Sequence, residues 1–208
     1  CDGCYHANKN REIEQRLKHR CAFCRVPMPN SRDESIRNMM ERVKKNDPAA
    51  MTQMGGRLTN EGDYGKAFEY YTKAAELGDV GAHFCLGTLY YRGNVVEEDK
   101  KKAVYHLEQA AIGGHPGARA LLAAHESNNG RFERAAKHFI IAANLGCDVS
   151  LKGLKRLFVE GGIRKEEYAA ALRGYQTALI ETKSAEREEA EAFFASLEAV
   201  EAKSRVFT

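Results

Sequence analysis

The sequence predicts an all-α protein: a right-handed α-solenoid of helix–turn–helix repeats, preceded by a small zinc-finger module. Three observations carry this expectation. Alanine is frequent and β-branched residues are sparse, which makes helix the default. A segment built around an Ala-Ala pair recurs three times, at Ala74-Ala75, Ala110-Ala111 and Ala142-Ala143, with spacings of 36 and 32 residues. A period of that length marks an array of helical hairpins. Four of the six cysteines fall in two C-x-x-C pairs ahead of the repeats.

The chain has 208 residues, 43% of them hydrophobic, with no Trp and four Pro. It begins with Cys1 rather than Met, so residues before Cys1 are expected to be missing. Residues 1–30 form the cysteine module. Between its two pairs, Asn8 to Arg20 carries Ile13 and Leu17 four apart, a short helix, and Pro27 and Pro29 close the module. Residues 31–46 are expected to be a linking helix. Ser31-Arg32-Asp33-Glu34 matches a capping box, Ile36, Met39, Met40 and Val43 recur at helical spacing, and Asn46-Asp47-Pro48 ends the segment. Residues 47–185 hold the repeats, in units of about 47–79, 80–116, 117–149 and 150–185. In 186–208 a C-terminal helix or tail follows, its helical pattern starting at Ser184 and running to Ala202. That pattern has glutamates at the front and carries Phe193, Phe194 and Leu197.

Each of the first three units opens with two small residues five apart: Ala50 and Gly55, Ala82 and Gly87, Ala118 and Ala123. Small side chains let two helices approach closely, so these residues, with Ala74, Ala75, Ala110, Ala111, Ala142 and Ala143, are expected to pack the repeats. Gly78, Gly113 and Gly146 stand where a left-handed residue would stop each second helix. Asp63, Asp99 and Asn129-Gly130 mark the turns before the second helices. Tyr70, Tyr105 and Phe139 are expected to fill the space between hairpins, and Cys85 and Cys147 to act as small apolar filling. His106 and His138 occupy equivalent positions, in a groove or simply packed. The fourth unit keeps the hairpin pattern and is expected to lose the small residues, as a terminal unit of a solenoid does.

This pattern resembles the Sel-1-like repeat family, a relative of the tetratricopeptide repeats. The second unit carries the motif at Ala82, Leu86, Gly87, Tyr90 and Gly93, then Lys102, Ala103, Tyr105 or His106, Ala110, Ala111 and Gly114. The resemblance covers residues 47–150 and fades towards 185. It implies an adaptor or scaffold that holds other proteins, with a peptide or helix in the concave groove.

Cys1-x-x-Cys4, sixteen residues, then Cys21-x-x-Cys24 is a metal-site spacing. Four thiolates at ~2.3 Å complete a tetrahedral zinc site. His6 and His19 are nearby, as substitute ligands or as ordinary helix-surface residues. Cys21-Ala22-Phe23-Cys24-Arg25-Val26-Pro27 resembles the last cysteine pair of a RING-type finger. That resemblance implies that Cys1 and Cys4 serve one zinc and Cys21 and Cys24 another, with the remaining ligands upstream. The alternative is one self-contained zinc ribbon. A RING further implies a surface for a ubiquitin-conjugating enzyme, with Arg25 clamping ubiquitin. Otherwise Arg25 is a solvated charge. Ala22 replaces the usual Pro. The chain would then be a ubiquitin-protein ligase whose repeats select substrate, and without that surface not an enzyme by itself.

Residues 1–46 hold eleven Lys/Arg against six Asp/Glu, whereas the rest of the chain holds 21 against 23. A basic head on a nearly neutral body fits two modules. Nucleic-acid binding by the head is disfavoured, because Tyr5 and Phe23 are its only aromatics for base stacking. No apolar run approaches the ~20 residues of a membrane span, and nothing reads as a secretory signal. No phosphate loop, nucleophile elbow or zinc-protease motif is present. Paired thiols in a chain that is not a short disulfide framework point to a reducing compartment, cytoplasmic or nuclear.

Overall fold

The computed structural model of the chain describes residues 31–93 and 95–182. The cysteine module, with the expected zinc ligands Cys1, Cys4, Cys21 and Cys24 and with Arg25, lies outside the described residues, as does the C-terminal segment 183–208. Among the described residues the regular structure is entirely helical. The helices are α1 (Arg32–Lys44), α2 (Pro48–Glu61), α3 (Tyr64–Glu76), α4 (Val80–Arg92), α5 (Lys100–Ile112), α6 (Pro116–Asn128), α7 (Phe132–Asn144), α8 (Asp148–Val159) and α9 (Lys165–Thr182). Residues 36–179 form one compact unit holding α2 to α8 and most of α9.

The chain is an α-solenoid of stacked hairpins. Helices α2 with α3, α4 with α5, and α6 with α7 pack as pairs, and each second helix packs on the next first helix. Successive first helices also touch, α2 to α4, α4 to α6 and α6 to α8. Among the described residues no contact joins α3 to α5 or α5 to α7. The first-helix side is therefore the narrower side of the stack.

The repeat register explains the packing. Met54, Leu86, Leu122 and Leu154 occupy one position of the four first helices, and all are buried. Tyr71, Leu107 and Phe139 occupy one position of the second helices, also buried. Here the structure corrects the expected aromatic row: Tyr105 lies two positions earlier in the register and is 56% exposed. The small residues make room for this second row. A Cβ on Gly55 would lie 2.6 Å from the Tyr71 ring, and one on Gly87 would lie 2.8 Å from Leu107. The third hairpin has Ala123 at this position, buried in one cluster with Phe139. Ala50, Ala82 and Ala118 are buried at the start of the first helices. Ser150 holds the same position in α8 at 0% exposure, so the fourth unit keeps a small residue where the sequence suggests its loss.

The Ala-Ala pairs also end their helices. In the first hairpin the Ala75 carbonyl accepts from Gly78 N at 2.9 Å and the Ala74 carbonyl from Asp79 N at 3.0 Å. Ala111 and Ala110 do the same for Gly114 and His115, and Ala143 and Ala142 for Gly146 and Cys147. The left-handed residue is thus the one four past the first alanine: Gly78, Gly114 and Gly146, at φ of 82°, 85° and 80°. In the second unit it is Gly114 and not Gly113. Gly113 is right-handed and lies so close to Val80 that a Cβ would overlap that side chain.

Capping residues begin most helices. Ser31 Oγ accepts from Glu34 N at 3.1 Å, the first half of the capping box. Asp47 and Asp79 accept from Ala50 N and Ala82 N at the starts of α2 and α4. Asp63 and Asp99 do so for α3 and α5. The start of α7 differs from expectation: Arg131 sits at the cap and makes no side-chain bond to it. The longer second loop, 93–99, is closed by Asp99 N on the Tyr90 carbonyl at 3.1 Å and by Lys100 Nζ on the Tyr91 carbonyl at 2.7 Å.

Candidate protein-binding surface

The fold places its most distinctive side chains across the second and third hairpins. His83 on α4 and His106 on α5 meet with Nδ1 atoms 3.0 Å apart. Tyr90 stacks on His106, centroids 5.8 Å apart, and meets Phe68 of α3 edge to face. Tyr105 lies edge-on to both histidines. Lys102 reaches over the Tyr90 ring at 5.3 Å. On the other side of α4, Phe84 stacks on His115 at 4.1 Å, and Tyr91 meets His125 and carries Lys100 above its ring at 3.8 Å. The sequence reading of His106 as packed or groove-facing resolves into a half-buried ring held by a second histidine.

A second feature is a set of exposed apolar residues at the ends of the second helices. Leu77 and Leu145 hold one repeat position just past α3 and α7, and Ile112, 77% exposed, ends α5. Ile141, Val149 and Tyr105 are exposed as well. Because the hairpins repeat, such residues recur along the stack at the repeat spacing.

A pocket of about 470 Å³ opens beside α7. Ala136, Ile140 and Ile163 give it apolar walls, and Glu133, Lys137, Arg164 and Glu167 ring it with two charges of each sign. Arg164 and Glu167 pair with each other at 3.4 Å.

Charge inside the stack is concentrated on Glu126, which is buried at the end of α6. It accepts a short hydrogen bond from Arg131 Nε and lies 3.5 Å from Arg134. The Arg131 bond holds its carboxyl below the usual range. Burial pushes the Cys85 thiol and the Tyr71 hydroxyl up, and Tyr71 Oη lies 3.2 Å from Thr59 Oγ1. Cys85 therefore packs as a neutral thiol among Met51, Tyr71 and Leu86, whereas Cys147 caps α8 without a side-chain bond. No group of three or more His, Cys, Asp or Glu that could hold a metal occurs among the described residues.

Comparison with known proteins defines the repeats. Residues 48–79, 81–115 and 130–147 match the Sel1 repeat model. These stretches are Sel1 repeats. The chain is similar to the crystal structure of a Sel1 repeat protein from Oxalobacter formigenes, 29% identical with a TM-score of 0.61, covering 73% of this chain and 65% of that one. It also shares its fold with c5321, a protective antigen of uropathogenic Escherichia coli strains displaying an SLR fold. There the identity is 23%, the TM-score 0.56, and the coverage 80% of this chain and 36% of that one. HcpC of Helicobacter pylori, whose name provisionally makes it a beta-lactamase, is 35% identical over 60 residues, 29% of this chain and 21% of HcpC. The chain thus spans about a fifth of that curated relative and less than two thirds of the Oxalobacter protein.

The Sel1 register relates positions that the sequence alone left unpaired. Met51 with Tyr70, His83 with His106, and Arg119 with His138 stand at one pair of positions in three successive hairpins. His106 and His138 were legible as equivalents. Their partners His83 and Arg119 were missed, and the signal was their shared distance of four residues past the caps Asp79 and His115.

Proposed function

We propose that the chain is a scaffold that holds another protein on its Sel1 stack, with a peptide or helix laid against the exposed side chains of its second helices. Sel1 repeat proteins generally bind other proteins. The observation that carries the reading is the set of exposed apolar and aromatic side chains on a rigid repeating frame, Leu77, Tyr105, Ile112 and Leu145 among them. Aromatic and large aliphatic anchors that need no rearrangement are what a binding surface uses. The test is selection of peptides from a displayed library on the full chain, with affinities measured by calorimetry. The selected peptide is expected to bind at least about tenfold more weakly to Tyr105→Ala or Leu145→Asp. Equal affinity for every surface variant, or no enriched peptide, would overturn the reading. The likeness to HcpC covers too little of the chain to carry an activity across.

A second element of the proposal is zinc bound by Cys1, Cys4, Cys21 and Cys24, supported by their spacing. One closed ribbon and half of a crossed RING remain its two forms, and the second brings the alternative function of a ubiquitin ligase, with Arg25 against ubiquitin and the repeats selecting substrate. Thiolate ligation favours a reducing location, cytoplasmic or nuclear. Zinc per chain, measured with Cys1→Ser and Cys21→Ser alongside, separates the forms. One tightly held zinc lost in either variant means a ribbon. No tight zinc on a folded stack rules out the closed ribbon.

A further inference from the structure

Between positions 31 and 182 the chain has five histidines, at 83, 106, 115, 125 and 138, all in the second and third hairpins. Each faces a helix other than its own. We propose that His83, His106, His115 and His138 make the joint between the second and third Sel1 hairpins acid-sensitive: neutral, they hold it closed, and protonated, they loosen it, while the first hairpin stays folded.

The His83–His106 bond spans α4 and α5. A bond between two Nδ1 atoms needs one that carries a proton and one that is bare. The pair links α4 to α5 only while one of the two Nδ1 atoms is bare. With both rings protonated, two N–H groups and two like charges face each other 3.0 Å apart. The charged groups facing the pair are Asp79 towards His83, and Lys102 across the Tyr90 ring that stacks on His106. Asp79 favours the charged form, but it is already bonded to Thr52 and to Ala82 N. Burial is the larger influence on both rings and holds both below the ordinary imidazole value.

His115 supplies the second lock. It caps α6 where Asp47 and Asp79 cap α2 and α4, and its Nδ1 accepts from Ala118 N at 3.2 Å. Its ring stacks on Phe84 of the preceding hairpin. A proton on Nδ1 removes the acceptor and puts a cation at a helix N-terminus, where the macrodipole opposes it. Burial holds this ring below the ordinary imidazole value. His138 is held down by burial and then by Arg119, against Glu126, and also faces Arg134 and Glu108.

The sign follows by linkage. Rings whose folded values lie below the unfolded value of ~6.5 bind protons first in the unfolded state. Their stabilisation is complete above that pH and is lost as pH falls through the folded values. Glu126, held below the carboxylate range, keeps its charge over the same interval.

The test is urea unfolding of the full chain at pH 7.5 and 5.0, beside a His83→Met, His106→Tyr, His115→Asp variant. This variant installs the first hairpin's Met51, Tyr70 and Asp47 at the matching positions. The wild-type unfolding constant is expected to rise on the order of tenfold more than the variant's over this interval. Hydrogen exchange, corrected for intrinsic rate, should show 80–128 losing protection before 48–76. Equal pH responses, or protection lost evenly along the stack, would overturn the proposal. Should the triple variant fail to fold, His115→Asp alone keeps a cap and should remove part of the pH response. A His115 ring titrating at or above the ordinary value by NMR would equally overturn it.

Discussion

In the first hairpin Met51 and Tyr70 join one apolar cluster with Tyr71, Ala74 and Leu86. In the second hairpin the same two positions hold His83 and His106, bonded ring to ring, and in the third they hold Arg119 and His138. The frame beneath them does not change. A small residue five past the first alanine faces a large buried side chain: Gly55 with Tyr71, Gly87 with Leu107, Ala123 with Phe139. The repeat therefore separates two tasks. Small and large residues at fixed positions hold each hairpin together, and the positions around them are free to carry local chemistry. Hairpins of one architecture can then differ in their response to pH while sharing their packing.

The sharpest way to break this comparison is to attack the shared frame. Leu107 is fully buried against Gly87 and belongs to a cluster with Ala110, Ala111, Ala118 and Leu122. Leu107→Ala leaves a cavity that a helix pair held by alanines cannot collapse to fill. It should cost ~2–5 kcal/mol in urea unfolding at pH 7.5. The loss should be similar at pH 5.0, because no titrating group is removed. A loss below ~1 kcal/mol would mean that the frame is softer than its packing implies.

The frame was largely legible in the sequence because it obeys a period. The Ala-Ala pairs, the Ala82–Gly87 spacing and the capping aspartates stand at fixed distances, and each has a local physical reason. What the sequence misplaced depends on a single register step. Tyr105 and His106 are both aromatic neighbours of the period, and only packing shows that the buried position is Leu107. Gly113-Gly114 offers two candidates for one left-handed residue, and the carbonyls of Ala110 and Ala111 select the second. His115 as a cap was hidden because histidine is not a usual cap, and it works here through a bare Nδ1. The His83–His106 bond joins residues 23 apart and follows from no local pattern. The surface was less legible still, since exposed residues such as Ile112 need only avoid the core.

A smaller effect sharpens the comparison at the seam itself. Asp79 caps α4 through Ala82 N at 2.7 Å, and the same oxygen accepts from Thr52 Oγ1 of α2 at 2.7 Å. One side chain thus starts the second hairpin and fastens it to the first. Asp63 starts α3 in the same way but bonds only within its own turn, to Lys66 N and Lys66 Nζ. Asp79→Ala should therefore cost about 0.5–2 kcal/mol, within the range of a lost cap, and Asp63→Ala should cost less. Thr52→Val separates the two roles of Asp79, because it removes the fastening and leaves the cap. In a double-mutant cycle the Asp79→Ala and Thr52→Val losses should fall short of additive, since either change breaks the same bond. Strict additivity would mean that the 2.7 Å contact does not hold the hairpins together, and that the seam rests on its apolar and histidine contacts alone.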